Sequence, residues 1–256
     1  MNDDVLAVCY HAVSETWPAD LSVTPEGLRR QLLRLMRRGY RPVTFTRAVL
    51  DPPAGRCLAV TFDDAYRSVL DLGRPILDEL GIPGTVFAPT DFPAHPEPMC
   101  WPGIDRWLGT PHEAELRPMS WAELAGLAAG GWEIGSHTAR HPRLTDLGDR
   151  ELDRELVRSR DECQRRLGAE CTSIAYPYGD VDRRVALAAR RAGYLAGAAL
   201  PSAWHRPREL EFPRVGVYRG DRDARYRLKV SPTVRVMRLH LDGRSGRARP
   251  GTRAPR

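Results

Sequence analysis

The chain predicts an α/β fold built on parallel strands, on three observations. Short apolar runs alternate with amphipathic stretches of helical spacing. Most of the helical stretches end on glycine. The acids and histidines with chemical potential fall where the apolar runs stop. Strand–helix alternation calls for parallel pairing, because each crossover must carry the chain back to the same end of the sheet. Seven or eight such units over about 220 residues fit a distorted (β/α) barrel. A doubly wound open sheet is the competing fold, and periodicity does not separate the two. Either fold places its chemistry at the carboxyl ends of the strands.

Val5–Tyr10 reads as a buried strand. Thr24-Pro25-Glu26 supplies an N-cap with proline in the first turn, and Leu28, Leu32, Leu35 and Met36 follow on one face before Gly39. Pro42–Phe45 and Cys57–Phe62 are the next strands, the second ending in acids. Val69, Leu72, Ile76, Leu77 and Leu80 mark a helix, and Gly84–Ala88 a strand. Ser120-Trp121-Ala122-Glu123 has the spacing of a capping box and opens a helix that ends at Gly130-Gly131. Trp132–Ser136 is a strand, and Leu152, Leu156, Cys163 and Leu167 describe a long amphipathic helix closed by Gly168. Thr172–Tyr176, Tyr194–Leu200 and Phe212–Tyr218 complete the strands, with a helix over Val181–Arg191. Asp91–Met119 stands apart, with six prolines plus Trp101 and Trp107. It is too long for an ordinary connection. Its tryptophans suit either stacking on a sugar or anchoring the loop, and anchoring is the commoner use.

The 256 residues are 42% hydrophobic, enough for a sizeable core, and no apolar run reaches transmembrane length. The acidic start, Met1-Asn2-Asp3-Asp4, is unlike a secretory signal, so a cytoplasmic home is expected. Five cysteines without a Cys-x-x-Cys pair argue against a thiolate zinc site or a redox motif, and Cys9 and Cys57 read as small core residues. Of the net charge of +6, five charges come from arginines in Gly243–Arg256, a tail expected to be disordered. The remainder carries about +1, which does not indicate a nucleic-acid-binding face. Two regions are expected: a main domain over 1–220 and a C-terminal extension over 221–256.

Thr61-Phe62-Asp63-Asp64 closes one predicted strand, and Gly135-Ser136-His137 closes another, with His141-Pro142 four residues on. His137 and His141 at i, i+4 would share one face of a helical turn. Two imidazoles and one carboxylate form a metal-binding triad that leaves a position open for water. The second acid then remains free to take a proton from that water. Ala175-Tyr176-Pro177-Tyr178-Gly179 closes a further strand, and its turn can aim a backbone N–H as an oxyanion donor.

These motifs resemble those of the polysaccharide deacetylases, the carbohydrate esterase family with a NodB homology domain. The resemblance runs from about Val5 to Tyr218. It implies a distorted (β/α) barrel of that type and hydrolysis of N-acetyl groups on amino sugars. It makes Asp63 the general base, Asp64, His137 and His141 the ligands of a divalent metal (usually zinc), and Tyr178 the oxyanion donor. Cobalt, nickel or iron would also suit this ligand set. Many members carry an arginine in the third motif, where this chain has Ala175 and Tyr176, so Arg214 is the candidate to reach the base from a later strand. Many also end in Leu-x-His, which Leu239-His240-Leu241 mimics only weakly. Tyr10-His11-Ala12-Val13 resembles the N-terminal Tyr-His-x-Val segment of a subgroup that includes the poly-N-acetylglucosamine deacetylases of biofilms, making His11 the expected general acid. The implied partner is an acetylated amino sugar. Hydrolysis of another amide or an O-acetyl ester, or an idle carbohydrate-binding module, are the alternatives.

Overall fold

The computed structural model describes residues 4–200 and 207–237. Its main sheet is entirely parallel, in the order β10-β9-β8-β7-β6-β5-β1-β11. The strands are β1 (Asp4–Tyr10), β5 (Arg56–Phe62), β6 (Gly84–Ala88), β7 (Glu133–Ser136), β8 (Ser173–Ala175), β9 (Ala196–Ala199), β10 (Phe212–Pro213) and β11 (Val215–Gly216). Strand β4 (Arg41–Val43) pairs with the first half of β5, at Cys57–Ala59, and β6 takes over along its second half, at Val60–Phe62. A separate parallel pair joins β2 (Ala12–Val13) to β3 (Ser22–Val23).

The two ends of the main sheet belong to one short segment. Phe212–Pro213 pairs with β9, and Val215–Gly216 pairs with β1. Arg214 is the residue at which the chain changes partner: its N–H donates to the Ala199 carbonyl at 3.0 Å, and Val217 N–H donates to Cys9 at 2.8 Å. The sheet is thereby drawn into a nearly closed barrel, the first of the two expected folds. The predicted last strand, Phe212–Tyr218, is split at this seam.

Helices α1 (Pro25–Met36), α3 (Arg74–Glu79), α4 (Trp121–Ala129), α5 (Asp149–Leu167) and α6 (Arg183–Arg191) follow the predicted periodicity. Thr24 accepts from Gly27 N–H, the Ser120–Glu123 capping box forms in both directions, and α5 stops at Gly168 in the left-handed conformation. Among the described residues, α2 (Phe45–Leu50), α7 (Asp223–Lys229) and the helical residues 232–237 were not anticipated. The expected strand Pro42–Phe45 stops at Val43, because Thr44 and Phe45 turn into α2 and Phe45 enters the barrel. Helix α7 leans on α1 through an Arg30–Asp223 ion pair and through the Tyr226 hydroxyl, which donates to Gln31 O. His240 and Gly243–Arg256 lie outside the described residues. No helix among the described residues is long and apolar enough to cross a membrane.

Period-two alternation sorts β1 side chains between two cores. Leu6, Val8 and Tyr10 face the helices, whereas Ala7 faces the barrel interior. That interior is filled by alanines and by three phenylalanines, with Phe45 meeting Phe87 and Phe212 edge-on at 5.4 and 6.1 Å. At the amino end of the strands Glu133 accepts from Thr46 N–H at 2.8 Å and from the Ser173 hydroxyl at 2.5 Å. At the carboxyl end Arg214 lies over Phe87, 5.5 Å from the ring centre. The interior is a packed core, and it forms the floor of whatever sits at the carboxyl end.

On the helix side, Gly84 lets Trp132 lie flat on the sheet: a Cβ there would stand 2.3 Å from the indole. Trp132 in turn stacks on Phe62, the residue preceding the acid pair, at 6.0 Å. Gly84→Ala should therefore destabilise the fold by about 1–3 kcal/mol through overpacking. Urea denaturation should show a lower midpoint at unchanged slope; an unshifted midpoint would mean that the indole is free to move.

Candidate active site

Six of the seven predicted site residues lie at the carboxyl ends of β1, β5, β7 and β8 or in the loops that follow them. Asp63 and Asp64 follow β5, His137 and His141 follow β7, and His11 follows β1. Tyr178 sits beyond β8, and Arg214 is the seam residue. His11, Asp63, Asp64, His137, His141 and Tyr178 all line one cleft of about 330 Å³. Arg214 lies beneath it, fully buried.

Asp63 N–H donates to Tyr10 O at 3.0 Å, which sets the strand end. The chain then makes a tight reversal through two successive left-handed residues, Asp64 (φ 69°) and Ala65 (φ 55°). Neither is glycine, so the turn holds backbone strain of about 1–3 kcal/mol per residue. The reversal sends the two adjacent carboxylates to different partners. Asp63 is gripped by Arg214, with Nη1 donating to Oδ1 at 2.6 Å and Nη2 to Oδ2 at 2.7 Å. Thr61 Oγ1 accepts a further bond from Nη1 at 2.9 Å. Burial alone would raise the Asp63 pKa, but Arg214, with His137 and His11, outweighs it and holds the carboxyl well below the usual carboxylate range. Cys9, expected to be a plain core residue, is buried but also directs its thiol to Asp63 Oδ2 at 3.3 Å.

Asp64 faces the two histidines instead. Its Oδ1 stands 3.3 Å from His137 Nε2 and 3.4 Å from His141 Nε2, and all three side chains are buried. The i, i+4 spacing of the histidines does not reflect a helical turn. Residues 137–141 form an irregular loop in which Thr138 (φ 67°) and His141 (φ 61°) are left-handed. That corrects the helical expectation, and the cause is a set of contacts remote in sequence. Glu155 on α5, buried, accepts from Ala139 N–H at 3.0 Å and Arg140 N–H at 3.2 Å, and pairs with the Arg140 guanidinium. Thr138 Oγ1 accepts from His141 N–H, and Ser136 Oγ from Thr138 N–H, both at 3.1 Å.

The donor set suits a metal ion. His137 Nδ1 lies 2.8 Å from the Ala175 carbonyl, an acceptor only, so Nδ1 carries the proton. In the neutral ring Nε2 then presents a lone pair to a carboxylate oxygen that has no hydrogen-bond partner among the described residues. Two buried acceptors facing each other call for a cation between them. Ligands about 2.0–2.1 Å from a tetrahedral zinc stand about 3.3 Å apart, which matches the spacing found. Cys9, His11 and Asp63 also bring ligand atoms within 4.8 Å of one another. That group is a poor cation site, because both Asp63 oxygens are already held by a guanidinium.

Burial opposes charge on both histidines. In His137 the Asp64 and Asp63 carboxylates overcome it and raise the pKa, whereas in His141 burial prevails and the value falls to about 3. Burial likewise lowers the His11 pKa despite the nearby carboxylates. His11 stacks on Tyr218 at 6.5 Å, and its buried Nδ1 has no hydrogen-bond partner among the described residues. Tyr178 occupies the left-handed region (φ 61°), and its ring meets His141 edge-on at 4.8 Å.

The sequence reading missed Glu155, one of many acids on the long amphipathic helix. Its place on the buried side, at helical spacing from Leu152 and Ser159, was the available signal. Glu155→Ala should lower stability by about 2–4 kcal/mol by stripping two buried N–H groups of their acceptor. Chemical denaturation measures this; unchanged stability would show that the histidine loop holds its shape without the carboxylate.

Comparison with known proteins agrees with this geometry. The family model described as polysaccharide deacetylase matches residues 51–197, which include both acids, both loop histidines and Tyr178. YxkH of Bacillus subtilis (strain 168) is 25% identical over 229 residues, covering 87% of this chain and 70% of that protein. The deacetylase PplD of Streptococcus pyogenes, solved in complex with acetate, superposes with a TM-score of 0.72 at 20% identity, over 89% of this chain and 98% of that one. IcaB from Ammonifex degensii gives a TM-score of 0.63 at 22% identity, over 86% and 91%. The two solved structures share the barrel. With the family match spanning more than half of the sequence, this chain belongs to the polysaccharide deacetylase family.

Proposed function

We propose that this protein is a metal-dependent hydrolase that removes N-acetyl groups from the amino sugars of a polysaccharide, an oligosaccharide or a glycan precursor. The observation that carries the reading is the division of labour between adjacent acids: Asp64 faces two imidazoles, and Asp63 is locked in its ionised form by Arg214. The catalytic unit on this reading is residues 1–220, with 221–256 an extension.

Asp64, His137 and His141 would hold a divalent ion, zinc in the first instance, which when bound supplies a Lewis acid for the acetyl carbonyl and for water. Asp63 accepts the proton that water loses as it attacks the acetyl carbon. Arg214 keeps both Asp63 oxygens in place, so the base does not swing onto the neighbouring imidazoles. The N–H of Tyr178 donates to the oxygen that gains negative charge in the tetrahedral state. His11, kept neutral by burial, takes up the proton that Asp63 accepts from water and delivers it to the departing nitrogen, the Asp63 and His11 ligand atoms lying within 4.8 Å of each other. One water is consumed, and acetate and a free amine leave.

Elemental analysis after reconstitution with zinc should find about one equivalent of metal in the wild type and in Asp63→Asn, and almost none in His137→Ala/His141→Ala. Asp63→Asn should lose about 10²–10⁴-fold in turnover with its metal intact; loss of the metal too would refute the separate roles of the acids. His11→Ala should lower kcat by about 10²–10⁴-fold at unchanged metal content. Normal turnover in that variant would remove His11 from the reaction.

A further inference from the structure

The long insertion between β6 and α4 forms one wall of the cleft, and its attachments decide what can reach the site. It is fastened to the barrel along its length. Asp91 N–H donates to Ala139 O at 3.1 Å, Arg67 N–H to Arg117 O at 2.8 Å, and Met119 N–H to Ala65 O at 2.8 Å. Its own strands of backbone are tied together by Met99 N–H donating to Leu116 O at 2.9 Å. Trp101 and Ile104, only 6% and 2% exposed, present the inner face of this wall. Trp101 stacks on His141 with ring centres 4.3 Å apart, so the wall stands directly against the reacting centre.

The wall also reaches across to its neighbours on both sides. On one side the Tyr178 hydroxyl donates to Pro102 O at 3.3 Å. On the other, Trp107 packs edge-on against Trp17 at 5.8 Å, and the Ser14 hydroxyl donates to Glu115 at 2.6 Å. The insertion therefore bridges the β1 loop and the β8 loop along one flank of the cleft. A polymer presenting an interior unit must enter the cleft on one side and leave on another, and this bridge stands across one such path. The volume, about 330 Å³, sits at the small end of the range of about 300–1,000 Å³ typical of small-molecule sites. Leu21, Ile104 and Leu200 give the walls an aliphatic character suited to the C–H face of one pyranose.

Resting on the deacetylase reading, we infer that the cleft accepts a single N-acetylated sugar unit at the end of a chain or in a short saccharide, and excludes units from the interior of a polymer. Specificity comes from the insertion, with Trp101, Pro102 and Ile104 as the residues that set it.

The test uses the zinc-reconstituted full chain and fully acetylated, β-linked N-acetylglucosamine oligosaccharides of two, four and six units, together with a long soluble polymer of the same sugar. Released acetate is counted, and the position of each free amine is read by tandem mass spectrometry of end-labelled products. The expected result is one acetate per chain whatever its length, with the free amine always at the same end, and release from the polymer in proportion to its chain ends. Several acetates from one hexasaccharide, free amines at interior units, or a rate that climbs with chain length would overturn the inference while leaving the deacetylase reading intact. Acetate from none of these substrates would overturn the two together.

Discussion

The buried pair between Arg214 and Asp63 is the interaction on which the rest of the site depends. Two charges taken out of water are costly, and removing either one strands the other, at about 3–5 kcal/mol. The pair is tolerated because it is bidentate and a second Nη1 proton finds Thr61. It also joins two structural tasks. Arg214 is the residue at which one segment leaves β9 and joins β1, so the residue at the barrel seam also supplies the guanidinium that fixes the acid above it. Barrel seam and carboxylate orientation thus meet at one residue.

Around this pair the site is built by forcing short loops into costly backbone states. Asp64, Ala65, Thr138, His141 and Tyr178 all have positive φ without being glycine. Such strain persists only where surrounding contacts over-determine it. Here the contacts can be named: Glu155 under the histidine loop, Ala175 O on His137, and Tyr10 O at the strand end. The barrel provides rigid strand ends, and α5 provides the clamp. The result is a buried cluster of acceptors prepared for a cation, beside a carboxylate whose charge is already neutralised.

The insertion works on a different level. It contributes none of the residues expected to carry out the hydrolysis, yet Trp101 buttresses His141 and its outer contacts bridge the β1 loop and the β8 loop beside the cleft. The candidate reacting residues thus sit on the barrel, whereas one wall beside them is a segment held on by backbone hydrogen bonds and tryptophan contacts.

Much of this was legible in one dimension. Period-two and period-3.6 patterning marks the strands from Val5 and Cys57 and the helices from Pro25 and Asp149, because burial acts on each element locally. Caps such as Thr24 and Ser120 are equally local. The acid pair and the histidine pair stand out because carboxylates and imidazoles at strand ends have few reasons to be there other than chemistry. What the sequence could not determine was anything set by contact between distant segments. It left barrel and open sheet undecided, since closure depends on five residues pairing in two directions about Arg214. It suggested a helical turn for the histidines, where Glu155, some fifteen residues away, imposes a loop. It placed Cys9 in the core without showing that its thiol meets the acid. Spacing along a chain reports local periodicity; the direction in which a side chain points within a site is decided by partners that only folding brings near.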